Sequence, residues 1–266
     1  MKKVIDGKTY FFVDESGDTT FYNKKGFPIV GTPGCSSLLL VGFLVSENPQ
    51  NLRRSIIELH REIIADPSIQ KKPSFRKTQI ALHAKDDCPE VRERVYDLLS
   101  KLDFQSQIVV VPKSERIFRE RFGANENRFY DNLITLLFRD SLHLYSDNRI
   151  VLAKRGSRLR QEPLTKAVER AKRIFQASHE GAPDTLINIQ SQIPSGEPCL
   201  SIIDYVNWAI YQAFVKADVR YLQQIESKIP MIKHYNEDPH SGSTLYCKKT
   251  GRLSAVKAAP LVLGSQ

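Results

Sequence analysis

The sequence predicts an α/β fold, a mixed sheet covered by helices on both faces. Three observations carry that expectation. Short aromatic or β-branched runs, Tyr10-Phe11-Phe12-Val13 and Ile108-Val109-Val110-Val111, read as buried strands. Segments with apolar residues at helical spacing separate these runs from later ones. The order, strands first and then alternating helices and strands, suits a mixed sheet between helical layers. At 266 residues the chain can bury a full core. Its simplest division is one domain over residues 1–235 and a basic tail over 236–266.

The first strand is expected over residues 8–14 and the second over 36–46. Gly26, Pro28, Gly31, Pro33 and Gly34 between them mark a long loop or an irregular hairpin. A helix over 49–65 follows, with Leu52, Ile56, Leu59 and Ile63 at helical spacing and Pro67 as its stop. The basic stretch from Lys71 to Lys77 is expected to be exposed, and a short apolar segment at 80–83 precedes a helix over 89–102. After the strand at 108–111, one long helix over 125–145 buries Phe129, Leu133, Leu136, Leu137 and Leu144. A strand at 149–152 opens into Lys154-Arg155-Gly156-Ser157-Arg158, and a helix over 162–178 carries Leu164, Val168, Ala171 and Phe175. Residues 186–189 suit an edge strand. Pro198, well suited to a first helical turn, begins a helix to about residue 216. Beyond Tyr235 periodicity fades among Gly, Ser, Lys and Pro, so the tail reads as weakly ordered or dependent on a partner.

Lys and Arg number 39 against 30 Asp and Glu, a formal charge of +9. A basic balance favours a polyanionic partner, because phosphate contacts supply most non-specific affinity for nucleic acid. Arg116, Arg119 and Arg121 form one cluster, Arg155, Arg158 and Arg160 another, and Arg170, Lys172 and Arg173 a third. Each cluster alone reads more often as a solvated face than as a binding site. Cys35, Cys88, Cys199 and Cys247 are scattered, without the close spacing of a zinc or redox motif. The start, Met1-Lys2-Lys3-Val4-Ile5-Asp6, lacks the apolar stretch of a signal peptide, and no apolar span reaches membrane length. A soluble, cytoplasmic protein with reduced cysteines is expected.

Two acidic features stand out. Asp14-Glu15-Ser16-Gly17-Asp18 ends the first strand, so three carboxylates crowd a strand end and repel unless a cation, a shared proton or solvent relieves them. Mg²⁺ takes hard oxygen ligands and often only one or two carboxylates, which makes it an economical relief. The bland alternative is an acidic, solvated turn freed by Gly17. The second feature is Asp204, within Leu200-Ser201-Ile202-Ile203-Asp204-Tyr205-Val206-Asn207-Trp208, a helix apolar nearly all round. A buried ionised Asp would cost several kcal/mol, on the order of an unpaired charge, unless paired or metal-bound. It reads either as an acid satisfied by Tyr, Trp or Arg, or as a partner of Asp14 with Asn207 beside it.

These residues carry a resemblance. Asp14-Glu15-Ser16-Gly17-Asp18, the Arg155-Gly156-Ser157 turn and Leu200 to Trp208 with Asp204 resemble the domain-of-unknown-function-3800 family, over roughly residues 8–230. That family is placed by similarity in the ribonuclease H-like superfamily, with RNases H, resolvases, transposases and integrases. The resemblance implies a mixed sheet whose first strand carries one acid and whose late helix carries another, matching Asp14 and Asp204. A third acid from the middle of the fold is usual there. Here the corresponding strand end reads Leu152-Ala153-Lys154, which leaves Glu15, Asp18 or Glu58 as alternatives.

The implied activity is metal-dependent hydrolysis of a phosphodiester in DNA or RNA. Asp14, Asp18 and Asp204 would hold Mg²⁺ or Mn²⁺ and Glu15 would assist. His83 or Lys113 would move protons or neutralise charge, though each also reads as a packed or surface residue. Arg155, Arg158 and Arg160 would hold the phosphate backbone. The alternative is a catalytically inactive nucleic-acid-binding or protein-interaction module of a defence or mobile-element system, with the tail as a docking arm. No phosphate-loop pattern, dinucleotide fingerprint or nucleophile elbow is present. His234 and His240, beside Glu237 and Asp238, do not have a recognised metal spacing.

Overall fold

The computed structural model describes residues 4–154, 161–234 and 244–247. Seven strands form one mixed sheet: β1 (Ile5–Ser16), β2 (Leu38–Ser46), β3 (Gln105–Pro112), β4 (Tyr145–Ala153), β5 (Leu186–Gln192), β6 (Met231–His234) and β7 (Thr244–Cys247). Their order across the sheet is β5-β4-β1-β2-β3-β6-β7. β2 is antiparallel to both β1 and β3, and β7 to β6, whereas β1/β4, β4/β5 and β3/β6 are parallel. The expected α/β class with a mixed sheet is therefore what the chain adopts.

The central strands are apolar on both faces because both faces are covered. Along β1, Phe12 faces one core while Phe11 and Val13 face the other. β2 splits the same way, Leu38, Leu40 and Leu44 against Leu39, Val41 and Phe43. The Phe12 face is covered by α1 (Pro49–Ala65), α4 (Pro89–Lys101), α8 (Pro198–Lys216) and α9 (Arg220–Ile225). The Phe11 face is covered by α5 (Glu115–Phe122), α6 (Glu126–Phe138) and α7 (Gln161–Ser178).

Several expected boundaries move, for physical reasons. The single helix expected over 125–145 ends at Phe138, and Tyr145 already belongs to β4. From within β4 the wholly buried Asn148 donates through its amide to the carbonyls of Leu142, Tyr145 and Leu186, which holds the short 3-10 turn Leu142–Leu144 where α-helix was expected. α5 went unforeseen because only Phe118 and Phe122 of its eight residues are buried, too few for a visible period. Its ends are nevertheless marked, by Ser114 accepting from the Ile117 N–H at the start and by left-handed Gly123 (φ +59°) at the finish. Around the basic stretch, Pro67 starts α2 (Pro67–Gln70) rather than merely stopping α1, and α3 (Phe75–Thr78) follows. Lys72 and Lys77 there pair with Glu90 and Asp86. The tail expected beyond residue 235 contributes β7 to the sheet.

α8 is the central element of its layer, with 14 of its 19 residues buried. Its first turn is tied to α1 where Arg53 grips Glu197 with both ends of its guanidinium, at 2.7–3.1 Å. Its middle approaches the sheet at Gly42 of β2, directly across from Asp14 in the β1/β2 register. A Cβ on Gly42 would lie 2.5 Å from Asn207 Oδ1, 3.0 Å from Ile108 Cγ1 and 3.2 Å from Ile203 Cδ1. Gly42 is therefore needed for closeness rather than for backbone freedom.

Gly42→Ala should overpack this contact and cost about 1–3 kcal/mol in chemical denaturation. Gly196→Ala, where the nearest atom to the new carbon would be 3.5 Å away, should be close to neutral. Equal effects of the two substitutions would refute the close docking of α8.

Candidate active site

Asp14 comes to the carboxyl end of β1, the strand from which the chain builds outward first to β2 and β3 and then, on the other side, to β4 and β5. In open α/β sheets ligands collect outside strand carboxyl ends at such a reversal. Asp14 alternates with Phe12 and shares its face, towards α8. Its carbonyl accepts a 2.9 Å bond from Asn207 Nδ2, and its Oδ1 accepts from the Glu15 N–H at 2.9 Å. Asp204 lies one turn before Asn207, so the strand acid and the helix acid expected from sequence stand on two elements that Asn207 joins.

Asp204 is buried, and the N–H of Ala84 donates to its Oδ2 at 2.7 Å. Its Oδ1 faces His83 Nε2 at 3.8 Å, while His83 Nδ1 is 3.7 Å from Asp86 Oδ2. Burial pushes the Asp204 carboxyl above its ordinary value. His83 and the Ala84 N–H draw it down, Asp87 and Asp86 push it up, and the net is upward.

The loop bearing His83 is fixed by Asp87, which sequence reading missed. Asp87 is 2% exposed. It accepts from Thr78 Oγ1 (2.5 Å), the His83 N–H (2.7 Å) and the hydroxyl of Tyr205 (2.6 Å), the residue after Asp204. Arg92 adds bonds to the carbonyls of Ala84 and Asp87. The sequence signal was available: two adjacent acids, Asp86 and Asp87, follow His83 immediately before the Cys88-Pro89 helix start.

The other expected residues go elsewhere. Glu15 alternates to the opposite face, where Tyr130 of α6 donates to its Oε2 at 3.0 Å. Asp18 is saturated by the Ser36 N–H and hydroxyl (both 2.8 Å), the Thr20 N–H (3.0 Å) and Lys113 Nζ (3.0 Å). Burial alone would raise the Asp18 carboxyl, but the Ser36 N–H, Lys113 and the Ser36 hydroxyl outweigh it and hold it below the ordinary 3.8. The Lys113 side chain has no solvent exposure and also lies 3.2 Å from Cys35 Sγ. Asp18 and Lys113 thus bind each other and tie the β1–β2 connection to the end of β3. Gly17 serves the same turn, since at φ +96° a Cβ would meet the Leu38 carbonyl at 2.3 Å. Arg155, Arg158 and Arg160 lie outside the described residues.

Among the described residues, no group of three or more His, Cys, Asp or Glu could hold a metal ion. The three-acid metal site expected from Asp14, Asp18 and Asp204 is therefore not assembled there. Asp204 and, through Asn207, the Asp14 carbonyl lie along one face of α8, with Asp86 and Asp87 near Asp204. Around Asp204 the burial and the neighbouring acids Asp86 and Asp87 make a cation favourable. That fits an ion held by one or two carboxylates and completed by substrate phosphates, which is a common Mg²⁺ arrangement. No family model matches the chain, and no curated protein matches it. No helix among the described residues is long and apolar enough to cross a membrane.

Two pH dependences follow with opposite signs. Asp204 has a raised folded value, so its contribution is favourable at low pH and is lost as pH rises through that value. In metal-free buffer Asp204→Asn should therefore become stabilising relative to wild type as pH rises from acid to neutral, read by thermal unfolding. Asp18 has a lowered folded value, so its contribution is intact above 3.8 and disappears as pH falls below it. Asp18→Asn should cost about 3 kcal/mol near neutral pH, because it strands the buried Lys113 ammonium. That cost should shrink in acid.

Proposed function

We propose that this protein is a ribonuclease H-like phosphodiesterase acting on nucleic acid, with Asp204, His83 and Asp14 as its reaction centre. One observation carries the reading: Asp204 is an acid buried on a largely apolar helix, facing a histidine, on the helix that bonds the Asp14 carbonyl through Asn207. A buried acid is costly to the fold even with its bond to the Ala84 N–H, and a carboxylate raised by burial beside a specific charge partner is a functional-site candidate. The mixed sheet, with its first strand and a late helix each supplying an acid, supports the ribonuclease H-like part of the reading. The excess of 39 basic over 30 acidic residues supports a polyanionic substrate.

Hydrolysis joins a water oxygen to phosphorus and breaks one P–O ester bond. One proton leaves the water and another reaches the departing oxygen. His83 would carry such a proton, since its side chain is 45% exposed and its Nε2 lies 3.8 Å from Asp204 Oδ1. The Ala84 N–H bond to Asp204 and the His83 N–H bond to Asp87 hold the backbone of its loop. Asp14 and Asp204 would hold Mg²⁺ or Mn²⁺, which would supply charge neutralisation at the phosphate and a more acidic water.

A second reading has an observation of its own in favour. Asp18 is committed to Ser36 and Lys113, and Glu15 faces away, so the third acid usual in such nucleases is not supplied by either. A nucleic-acid-binding module of this fold, without catalysis, would need none.

Labelled RNA and DNA oligonucleotides incubated with Mg²⁺ or Mn²⁺ separate the two. The proposal expects cleavage by wild type, its loss in Asp14→Asn and Asp204→Asn, and a fall of about 10²-fold or more in His83→Ala. Cleavage at the wild-type rate by the two Asn variants would remove these residues from the mechanism. Salt-sensitive binding by wild type without product would establish the binding module instead.

A further inference from the structure

A cleft of about 430 Å³ runs between α6 and α7, on the sheet face opposite α8 and therefore away from Asp204. Four cations line it: Arg121 from the last turn of α5, Arg128 from α6, and Lys166 and Arg170, one turn apart on α7. Asp131 is the acid among its described lining residues.

The pairing of these cations differs from that of their neighbours. On α5, Arg116 and Arg119 each have a glutamate one turn away, Glu120 and Glu115. Arg121, Arg128 and Arg170 have no carboxylate within ion-pair distance among the described residues. Lys166 pairs only with Glu162, in a fully solvated contact that contributes little and yields readily to a stronger anion. Arg128 also stands in the first turn of α6, where the helix dipole disfavours a cation. Four like charges around one concavity repel one another, and folding gains nothing from collecting them.

The floor beneath them is rigid. Thr135 of α6 donates to the Ala167 carbonyl of α7 at 3.0 Å and shares its hydroxyl with the Asp131 carbonyl at 2.9 Å. Thr135 and Ala167 are buried, so the two helices are fixed to each other below the charges. The groove is therefore preformed, with exposed cationic side chains on a fixed base.

We infer that this groove binds the phosphodiester backbone of a nucleic acid, as a tether separate from the reaction centre. The inference rests on the reading that the protein acts on nucleic acid, and it adds where a strand is held outside the cleavage site. Guanidinium forks match phosphate oxygens in pairs, and neutralising several phosphates releases condensed counterions. Cations lying on both banks of a groove suit a backbone running along it rather than a single small anion.

The test measures binding of a fluorescein-labelled single-stranded oligonucleotide across a salt series, with Asp204→Asn as the parent so that no cleavage intervenes. Arg121→Gln, Arg128→Gln and Arg170→Gln are combined in that parent. All three side chains are exposed, so unchanged thermal unfolding is expected. Three lost phosphate contacts should make the slope of log K against log salt shallower by about 2, and weaken binding by at least about tenfold at low salt. An unchanged slope and affinity would overturn the inference, whether or not wild type cleaves. A shallower slope in the triple variant, with no cleavage by wild type, would keep the groove and remove the nuclease. No oligonucleotide binding by the parent, with triple-variant-sensitive binding to anionic lipid vesicles, would overturn the inference in favour of a membrane surface.

Discussion

The approach of α8 to the sheet is set by a side chain that is not there. At Gly42 the helix comes close enough for the Asn207 amide to reach the Asp14 carbonyl across the β1–β2 pair. That bond contributes about 1 kcal/mol, while Asn207 Oδ1, buried without a partner, costs a similar amount or more. Asn207 therefore adds little net stability. It fixes the register of α8 on β1, and that register decides which turn of the helix faces the strand end. Asp204 takes its position from this fit, and the loop of His83 and Ala84 then joins it through Asp87 and the Ala84 N–H.

Strand geometry then sorts the acids. Successive side chains on β1 point to opposite faces, so Asp14 turns towards α8 and Glu15 towards α6, although they are neighbours in sequence. Asp18 lies past Gly17, in the turn rather than on the strand, and folds back onto Ser36 and Lys113. One short acidic motif is thus divided among the α8 face, the α6 face and a structural turn. Charge repulsion within the motif is relieved by separation and by local donors, without any need for one cation to bridge all three acids.

Much of the fold could be read from the sequence because the signals were long or doubled. The Phe11–Phe12 and Val109–Val110 runs had to be strands buried on both faces, and the spacing of Leu52, Ile56 and Ile63 gave α1 its full length. Asp204 announced itself as a polar residue on an apolar helix. What escaped was set by single contacts. The end of α6 depends on Asn148, whose three carbonyl partners lie as far away as Leu186. The commitment of Asp18 depends on Lys113, 95 residues later. Asp87 was overlooked because a carboxylate satisfied by a backbone amide, a threonine and a tyrosine has no periodicity to betray it.

The pairing of β7 with β6 changes what the end of this chain is. β6 is stitched to β3 on one side and to β7 on the other, so the division expected at residue 235 cuts between neighbours in one sheet. A chain stopped there would leave β6 as a bare edge, with unpaired amides and carbonyls open to another molecule. Its buried Lys233, held by Asp140 at 2.7 Å, would lie beside that exposed margin. With β7 in place the open margin moves one strand outward, so removing it exposes the edge of β6, a strand that also carries the buried Lys233.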